Sequence, residues 1–334
     1  MSANPAPIPP PPPPSWGGAP VSLSGTPSRG GFLGGRSRLL LSLALVVVLT
    51  GGSLFYLFSR SGHGGETAQA LSLALAKGDV HHYRMTIDLQ GSLGAGGAKA
   101  PFDMAMSGTL LWRVDDVDAK GIAHVYVSLQ SGSLTVNGQS GTLGDDHMTL
   151  RIAPDGRILS GCTFGGPGAG YIASIGIPGA SELTPVLPDA AVMPGATWSK
   201  SFVQRFPSAA GGVHFATTST FVRTEDVAGV SAAVVRTSGK ARLNTTVDLK
   251  KLAAEYGFPS GLSKGEDPRF HYAGSIQLAT TSWIDPASRQ LVRESVGSQF
   301  DVTLTGIALP ADDRIPGGKV RFAGTETVKL NRVN

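Results

Sequence analysis

Cysteine is almost absent from the sequence, which has only Cys162 in 334 residues. A single cysteine excludes an intramolecular disulfide and any zinc site built on several thiolates. Cys162 also lies far from the apolar run near the amino terminus, so it cannot be the lipidated cysteine of a lipoprotein. Attachment to a membrane would therefore have to come from the apolar run itself.

Charged residues are scarce too, at 16% of the chain, and their signs are unevenly distributed. The formal net charge is +4, but Arg29, Arg36 and Arg38 precede the apolar run and no acidic residue does, which leaves about +1 for the rest. The remainder has no basic stripe interleaved with aromatic residues. The sequence therefore predicts no nucleic-acid partner.

Residues with the spacing of a metal or cofactor site are missing as well. No HExxH or CxxC motif occurs, and the glycine-rich segment 161–170 lacks the lysine of a phosphate loop. Asp115, Asp116 and Asp118 resemble the start of a calcium loop, but Val127 stands where the bidentate carboxylate belongs. We expect a solvated hairpin turn there, with no metal ligands, no cofactor and no catalytic residues. A hydrolase is the third-ranked alternative, because folding can bring together two carboxylates that are distant in the sequence.

The amino-terminal residues 1–38 are rich in proline and glycine, and Pro9–Pro14 is an unbroken proline run. Such a composition cannot bury enough apolar surface to fold, and prolines favour extended polyproline II. We predict a disordered tail. The alternative is a ligand for an SH3- or WW-like partner.

The segment Leu39–Phe58 has about 20 residues without a charge, which as a helix span roughly 30 Å, the thickness of a bilayer core. Arg36 and Arg38 precede it and Arg60 follows it, a bias that places the amino terminus in the cytoplasm. We predict a single-pass protein of a bacterial cell membrane with an extracytoplasmic carboxy-terminal domain. The alternative is a cleaved signal peptide, for which Ala68–Ala70 offers a small-x-small site.

Beyond this run, apolar residues alternate with polar ones, as in Tyr83, Met85, Ile87 and Leu89. About ten such segments, separated by Gly, Asp and Ser turns, are typical of antiparallel meanders. The predicted fold is mainly β, with two similar meander halves forming a curved sheet or half-barrel. The predicted order is a juxtamembrane helix or linker at 59–79, a first β half at 80–160, a Gly/Pro-rich connector at 161–195, and a second β half at 196–334 with a helical insertion at 244–270.

Two short helices are predicted from local signals. Glu66–Lys77 is rich in alanine and leucine and precedes Gly78, a suitable helix terminator. In the insertion, Asp248 can cap a helix that Gly257 ends.

Two segments carry a family resemblance. Leu187–Trp198 contains a proline, an acidic residue, Pro-Gly and a Thr-Trp strand start, and Trp283–Pro286 precedes the returning strand Leu291–Arg293. Together they resemble uncharacterised bacterial membrane-anchored or secreted β-rich envelope proteins, which are similar to the curved-sheet carriers of lipoproteins and lipids (LolA- and LppX-like). The resemblance implies a concave apolar face and brings no catalytic residues. The membrane helix, in place of a lipidated cysteine, favours a tethered module over a shuttle.

The function predicted from these features is a non-enzymatic binding module for a lipid or other hydrophobic ligand. Flexible methionine and aromatic side chains suit irregular apolar ligands. The candidate lining residues chosen on this basis are Met85, Ile87, Phe102, Met104, Met106, Phe215 and Tyr256. The alternatives are that these residues are ordinary core, or that the protein is a structural or signalling protein that binds envelope partners outside and a cytoplasmic partner through its tail.

Overall fold

The computed structural model describes residues 68–143, 147–160, 164–165, 184–204, 209–248, 250–251, 269–307 and 318–333. These residues form thirteen strands. They are β1 (Val80–Ala95), β2 (Ala98–Val117), β3 (Ala123–Val136), β4 (Gln139–Leu143), β5 (His147–Ile152), β6 (Ile158–Ser160), β7 (Phe164–Gly165), β8 (Thr197–Gln204), β9 (Ala209–Val227), β10 (Val230–Asp248), β11 (Arg269–Asp285), β12 (Gln290–Ile307) and β13 (Lys319–Val333).

All thirteen strands belong to one antiparallel sheet, in the order β6-β5-β3-β2-β1-β13-β12-β11-β10-β9-β8, with β4 beside β3 and β7 beside β5. The pairing of β1 with β13 joins the two ends of the chain's β region. The edge strands β6 and β8 approach each other, so the sheet curves round and nearly closes. The predicted mainly-β fold with a curved sheet is confirmed at this level.

Alternation of side chains gives the sheet its inner face. In β1, Tyr83, Met85, Ile87 and Leu89 are buried, while Arg84 between them is exposed. Successive strand residues point to opposite faces, so one apolar residue in two is enough to cover the concave side. The neighbouring strands repeat this pattern, and their buried residues form one continuous core.

Strand curvature depends on glycines inside the sheet. Gly91 of β1 and Gly324 of β13 are register partners. A Cβ atom on Gly324 would lie 2.3 Å from the carbonyl oxygen of Gln90 and 2.7 Å from the Cα atom of Gly91. Backbones can approach so closely only where side chains are missing, and such sites allow a sheet to bend sharply.

The two rims of the curved sheet are built differently. One rim, here the strap end, holds the start of β1, the turns β5–β6 and β11–β12, and the segment Ala68–Lys77, here the strap. The other, the hairpin end, holds the tight turns β1–β2 and β3–β4. The insertion after Asp248 and the connection between Ile307 and Lys319 also leave the sheet at the hairpin end.

The strap corrects one prediction: Ala68–Lys77 does not form the expected helix. Its backbone pairs with neighbouring turns, with Leu73 N donating to Pro154 O at 2.7 Å and Ala74 N to Arg289 O at 2.9 Å. Leu71 and Leu73 are buried in the core. Their spacing of two matches an extended chain, and this burial outweighs the helix propensity of the alanines.

The predicted membrane segment Leu39–Phe58 and the proline-rich tail lie outside the described residues. Among the residues that the structure does describe, no helix is long and apolar enough to cross a bilayer. In the insertion, the predicted cap is present, because the Oδ1 atom of Asp248 accepts hydrogen bonds from the amides of Lys250 and Lys251, both at 3.0 Å. The rest of that predicted helix also lies outside the described residues.

A partly buried lysine links the two edges of the sheet. The Nζ atom of Lys200 in β8 lies 2.9 Å from Oδ2 of Asp155, in the turn before β6, and 2.8 Å from Oδ1 of Asp189. Burial alone would raise the pKa of Asp155, but the hydrogen bond from Lys200 and the charges of Arg157 and Lys200 outweigh burial and lower it. The ion pair therefore stabilises the nearly closed form of the sheet.

We expect Lys200→Met to lower the free energy of unfolding by about 1 kcal/mol, because the half-buried Asp155 loses one of its two cationic partners. Urea unfolding monitored by circular dichroism measures this. Lys77→Met is the matched control, since Lys77 and Asp116 are 73% and 61% exposed and such surface pairs contribute little. An equal effect of both variants would contradict the proposed role of Lys200.

Candidate binding site

The inner face of the sheet carries polar side chains in a cross-strand row, here the hydroxyl row, formed by Ser219, Thr237, Thr280 and Ser282. Ser219 faces Thr237 across β9 and β10, and Thr237 faces Thr280 across β10 and β11. The hydroxyls of Ser219 and Thr237 are 2.8 Å apart. All four side chains are buried. A core that served packing alone would place apolar residues at these positions.

One end of the hydroxyl row leads to a buried acid, Glu294 of β12, which is 1% exposed. Its Oε1 atom accepts a hydrogen bond from the Ser282 hydroxyl at 2.8 Å, while Oε2 has no hydrogen-bond partner among the described residues. Burial raises the pKa of Glu294 to about 8, against the opposing effect of the Ser282 hydrogen bond. The carboxyl group is therefore mostly protonated at neutral pH.

A second buried acid, Glu326 of β13, is 2% exposed. Its Oε2 atom accepts a hydrogen bond from Ser298 at 3.2 Å, and Oε1 has no partner within the described part of the chain. Burial raises its pKa well above the ordinary value, with the Ser298 hydrogen bond opposing. Both acids thus keep hydrogen-bonding capacity that the described residues leave unused.

A small cavity of about 20 Å³ lies beside the hydroxyl row, enough for about one water molecule. Thr217, Thr237 and Thr280 line its polar side. Phe202 and Phe215 line its apolar side and stack with ring centroids 5.0 Å apart. The cavity therefore combines hydroxyl groups with an aromatic wall.

The remaining wall of the cavity is formed by Leu278 and by three residues, Thr184, Pro185 and Val186, of the segment Thr184–Leu187, here the plug segment. Leu187 is fully buried, and its amide donates to Asp155 O at 2.9 Å. The Thr184 hydroxyl donates to Gly156 O at 2.5 Å. A Cβ atom on Gly156 would lie 1.8 Å from Pro185 O, so only glycine allows this segment to sit so close. The plug segment therefore packs against the concave side of the sheet.

Four of the predicted lining residues lie together, here the methionine face: Met85 and Ile87 of β1 with Met104 and Met106 of β2. Ile87 is the register partner of Met106, and all four side chains are buried on the inner face. Each could serve as core or contact a guest, because the flexible thioether adapts to either role. Their grouping shows that the alternation read from the sequence identifies one continuous surface.

The other three predicted lining residues are dispersed. Phe215 of β9 lines the cavity. Phe102 is half-buried near the hairpin end of β2. Tyr256 lies outside the described residues.

The acids Glu294 and Glu326 were missed by sequence reasoning. Each was detectable, because Glu294 shares the phase of Val296 and Phe300, and Glu326 shares that of Val328. A charged residue at an inward position of an alternating strand is the signal. It is visible only once the phase of the strand is known.

Neither a metal site nor a hydrolase arrangement is found in what the structure describes. No three His, Cys, Asp or Glu side chains are grouped to hold a metal ion among the described residues. The sequence does match G-x-S-x-G at Gly261–Gly265, which lies outside those residues.

Comparison with known proteins finds no matching family model and no matching curated protein. Among solved structures, the chain is similar to DynF from the dynemicin biosynthesis pathway of Micromonospora chersina. The match has 10% sequence identity and a TM-score of 0.21, and covers 82% of this chain and 92% of that chain. A similarity at this level supports no conclusion about function.

Proposed function

We propose that this chain is a non-enzymatic binding module, tethered by Leu39–Phe58 to the outer face of a bacterial membrane, whose curved sheet binds an apolar ligand on its inner face. The observation that carries the proposal is the mixed character of that face. It combines the methionine face with carboxyl oxygens of Glu294 and Glu326 that lack partners among the described residues. Binding sites for small ligands pair apolar walls with a few polar groups in this way.

Ligand entry, on this proposal, displaces the plug segment. The cavity beside it holds only about one water molecule, so a larger guest requires space that Pro185 and Val186 now fill. The Val186 carbonyl accepts hydrogen bonds from Trp198 Nε1 at 3.1 Å and Ser219 Oγ at 3.4 Å, Thr184 and Leu187 bond to the β5–β6 turn, and Leu187 is buried in the core. Because the segment belongs to no strand, its displacement breaks these contacts but leaves the pairing of the sheet intact.

Native mass spectrometry of the full chain in detergent micelles, with dodecanol as the probe, tests the proposal. We expect a one-to-one adduct. Thr237→Phe should weaken it at least tenfold by filling the cavity, while Ser238→Phe, which points outward from the same strand, should leave it unchanged. No adduct, or equal adducts for both variants, would contradict binding at the inner face.

We expect Gly156→Ala to speed dodecanol association about fivefold to tenfold, because a Cβ atom at 1.8 Å from Pro185 O weakens the seating of the plug segment by about 1 kcal/mol. Stopped-flow fluorescence of the buried Trp112 measures the rate. Gly138→Ala is the matched control: its φ of +80° resembles the +83° of Gly156, but its Cβ would contact nothing. An equal effect of both alanines would show that backbone strain, and not release of the plug segment, is responsible.

A further inference from the structure

Glu326 lies between the two apolar parts of the inner face. Across β1 its register partner is Leu89, whose own partner on β2 is Met104 of the methionine face. Across β12 its partner is Ser298, whose partner on β11 is Leu278 of the cavity wall. Glu326 therefore lies between the methionine face and the cavity, and a guest that spans both must pass its carboxyl group.

The hydrogen bonds of Glu326 leave one specific capacity unused. Ser298 donates to Oε2, while Oε1 faces the interior without a partner among the described residues. An unpaired buried oxygen costs stability, and a donor on a guest would recover that cost on binding. Because burial favours the protonated carboxyl group and Ser298 donates to Oε2, the proton lies on Oε1, which can both donate and accept a hydrogen bond. A hydroxyl or an amine on a guest can make both bonds, whereas an ether can only accept one.

The charges around this position exclude one class of ligand. The buried polar side chains of the described residues include Glu294, Glu326 and His81, but no lysine or arginine. An anionic head group would therefore be desolvated beside acids without a compensating cation, which is strongly unfavourable.

We infer that the ligand is an apolar chain bearing a hydrogen-bond donor, a hydroxyl or an amine, and that Glu326 binds this donor while the methionine face holds the chain. The inference rests on the proposed function and names its ligand class. Free fatty acids and other anionic amphiphiles are excluded as ligands.

The test compares four probes with the same twelve-carbon chain against the full chain in detergent micelles: dodecanol, dodecylamine, dodecanoate and dodecyl methyl ether. Native mass spectrometry reports the bound fraction of each. We expect dodecanol and dodecylamine to bind at least tenfold more tightly than dodecanoate, and also more tightly than the ether, which can accept a hydrogen bond from Oε1 but donates none. Comparing dodecanol with dodecylamine shows whether a hydroxyl or an amine is the preferred donor.

Variants of Glu326 test whether this residue causes the preference for dodecanol and dodecylamine. Glu326→Leu should reduce dodecanol and dodecylamine to the level of the ether, and the fold should tolerate leucine because it removes an unpaired polar group. Glu326→Gln keeps an acceptor, so it should retain dodecanol but lose dodecylamine if the amine binds as an ammonium ion. Thr325→Leu is the matched control, since Thr325 precedes Glu326 on β13 and is exposed on the outer face, and it should leave the preference intact.

Each result separates the inference from the proposed function. If the ether binds as well as dodecanol, or if Glu326→Leu keeps the preference, the assignment to Glu326 is wrong while binding at the inner face stands. If none of the four probes binds, the proposed function fails and the inference with it.

Discussion

The folded sheet should lose on the order of 2 kcal/mol of stability between pH 6.5 and pH 8 through Glu294 alone. The pKa of this group rises from 4.5 to about 8 on folding. Between these values the unfolded chain has released the proton while the folded protein still holds it. The stabilisation is complete below pH 4.5 and falls by about 1.4 kcal/mol per pH unit toward pH 8.

Other titrating groups do not reverse this trend within the chosen range. Burial lowers the pKa of His81 below its ordinary value of 6.5, so the unfolded chain still releases part of a proton from this residue just above pH 6.5. This raises stability by less than about 0.5 kcal/mol over the range and opposes the trend only slightly. Tyr83, which faces Glu294 from β1, has a pKa raised by burial and stays neutral. Glu326 acts in the same direction as Glu294.

Urea unfolding at pH 6.5, 7.25 and 8 measures the pH dependence. Glu294→Gln should remove the part of the slope that comes from Glu294, because glutamine does not ionise, and leave the part that comes from Glu326. Glu225→Gln is the control: hydrogen bonds from Trp283 and Arg223 lower the pKa of Glu225, so Glu225 is ionised in both states throughout this range. A wild-type stability that rises between pH 6.5 and 8 would contradict the burial of a protonated Glu294.

Gly324→Ala should cost about 3 kcal/mol of unfolding free energy, or prevent folding, since the new methyl group overlaps main-chain atoms of β1. Its Cβ would lie 2.3 Å from Gln90 O and 3.0 Å from the Phe300 ring. The main chain of β1 can move away only by breaking its ladder with β13. This variant tests whether the close backbone approach where β1 pairs with β13 is needed for folding.

Gly141→Ala provides the comparison for Gly324→Ala. Gly141 lies in β4, has no atom within 4 Å of its Cβ position, and should change stability by less than about 0.5 kcal/mol. Chemical unfolding of both variants at one pH measures the difference. Equal stabilities would show that the close approach of Gly91 and Gly324 is not required.

Local patterns in the sequence determine much of the fold. The alternation from Tyr83 to Leu89 predicts both the strand β1 and its inward face, because polar side chains separate the apolar ones. The stretch Ala232–Val235 has no such contrast. The sequence suggests Ala232 and Val234 as buried, which is confirmed, but Ala233 and Val235 are buried as well and belong to the core cluster, and a bulge in β9 adjusts the register there. Four consecutive small apolar residues fit either phase.

The long-range features could not be predicted from the sequence. The pairing of β1 with β13 joins segments more than 200 residues apart, and no local signal records it. The strap was misassigned because helix propensity is a weak guide where tertiary burial of Leu71 and Leu73 decides the conformation. The buried acids become meaningful only when the nearly closed sheet places Glu326 between the methionine face and the cavity.

Photo-crosslinking tests the central claim most directly, that the inner face binds an apolar ligand. The full chain in detergent micelles is irradiated with a dodecanol analogue that carries a diazirine at the end of its chain, and the labelled peptides are identified by mass spectrometry. The account predicts labels on the peptides of Met85, Met104 and Met106, with loss of these labels when excess dodecanol is added. Labels confined to Leu39–Phe58 and to residues on the outer face of the sheet would contradict it.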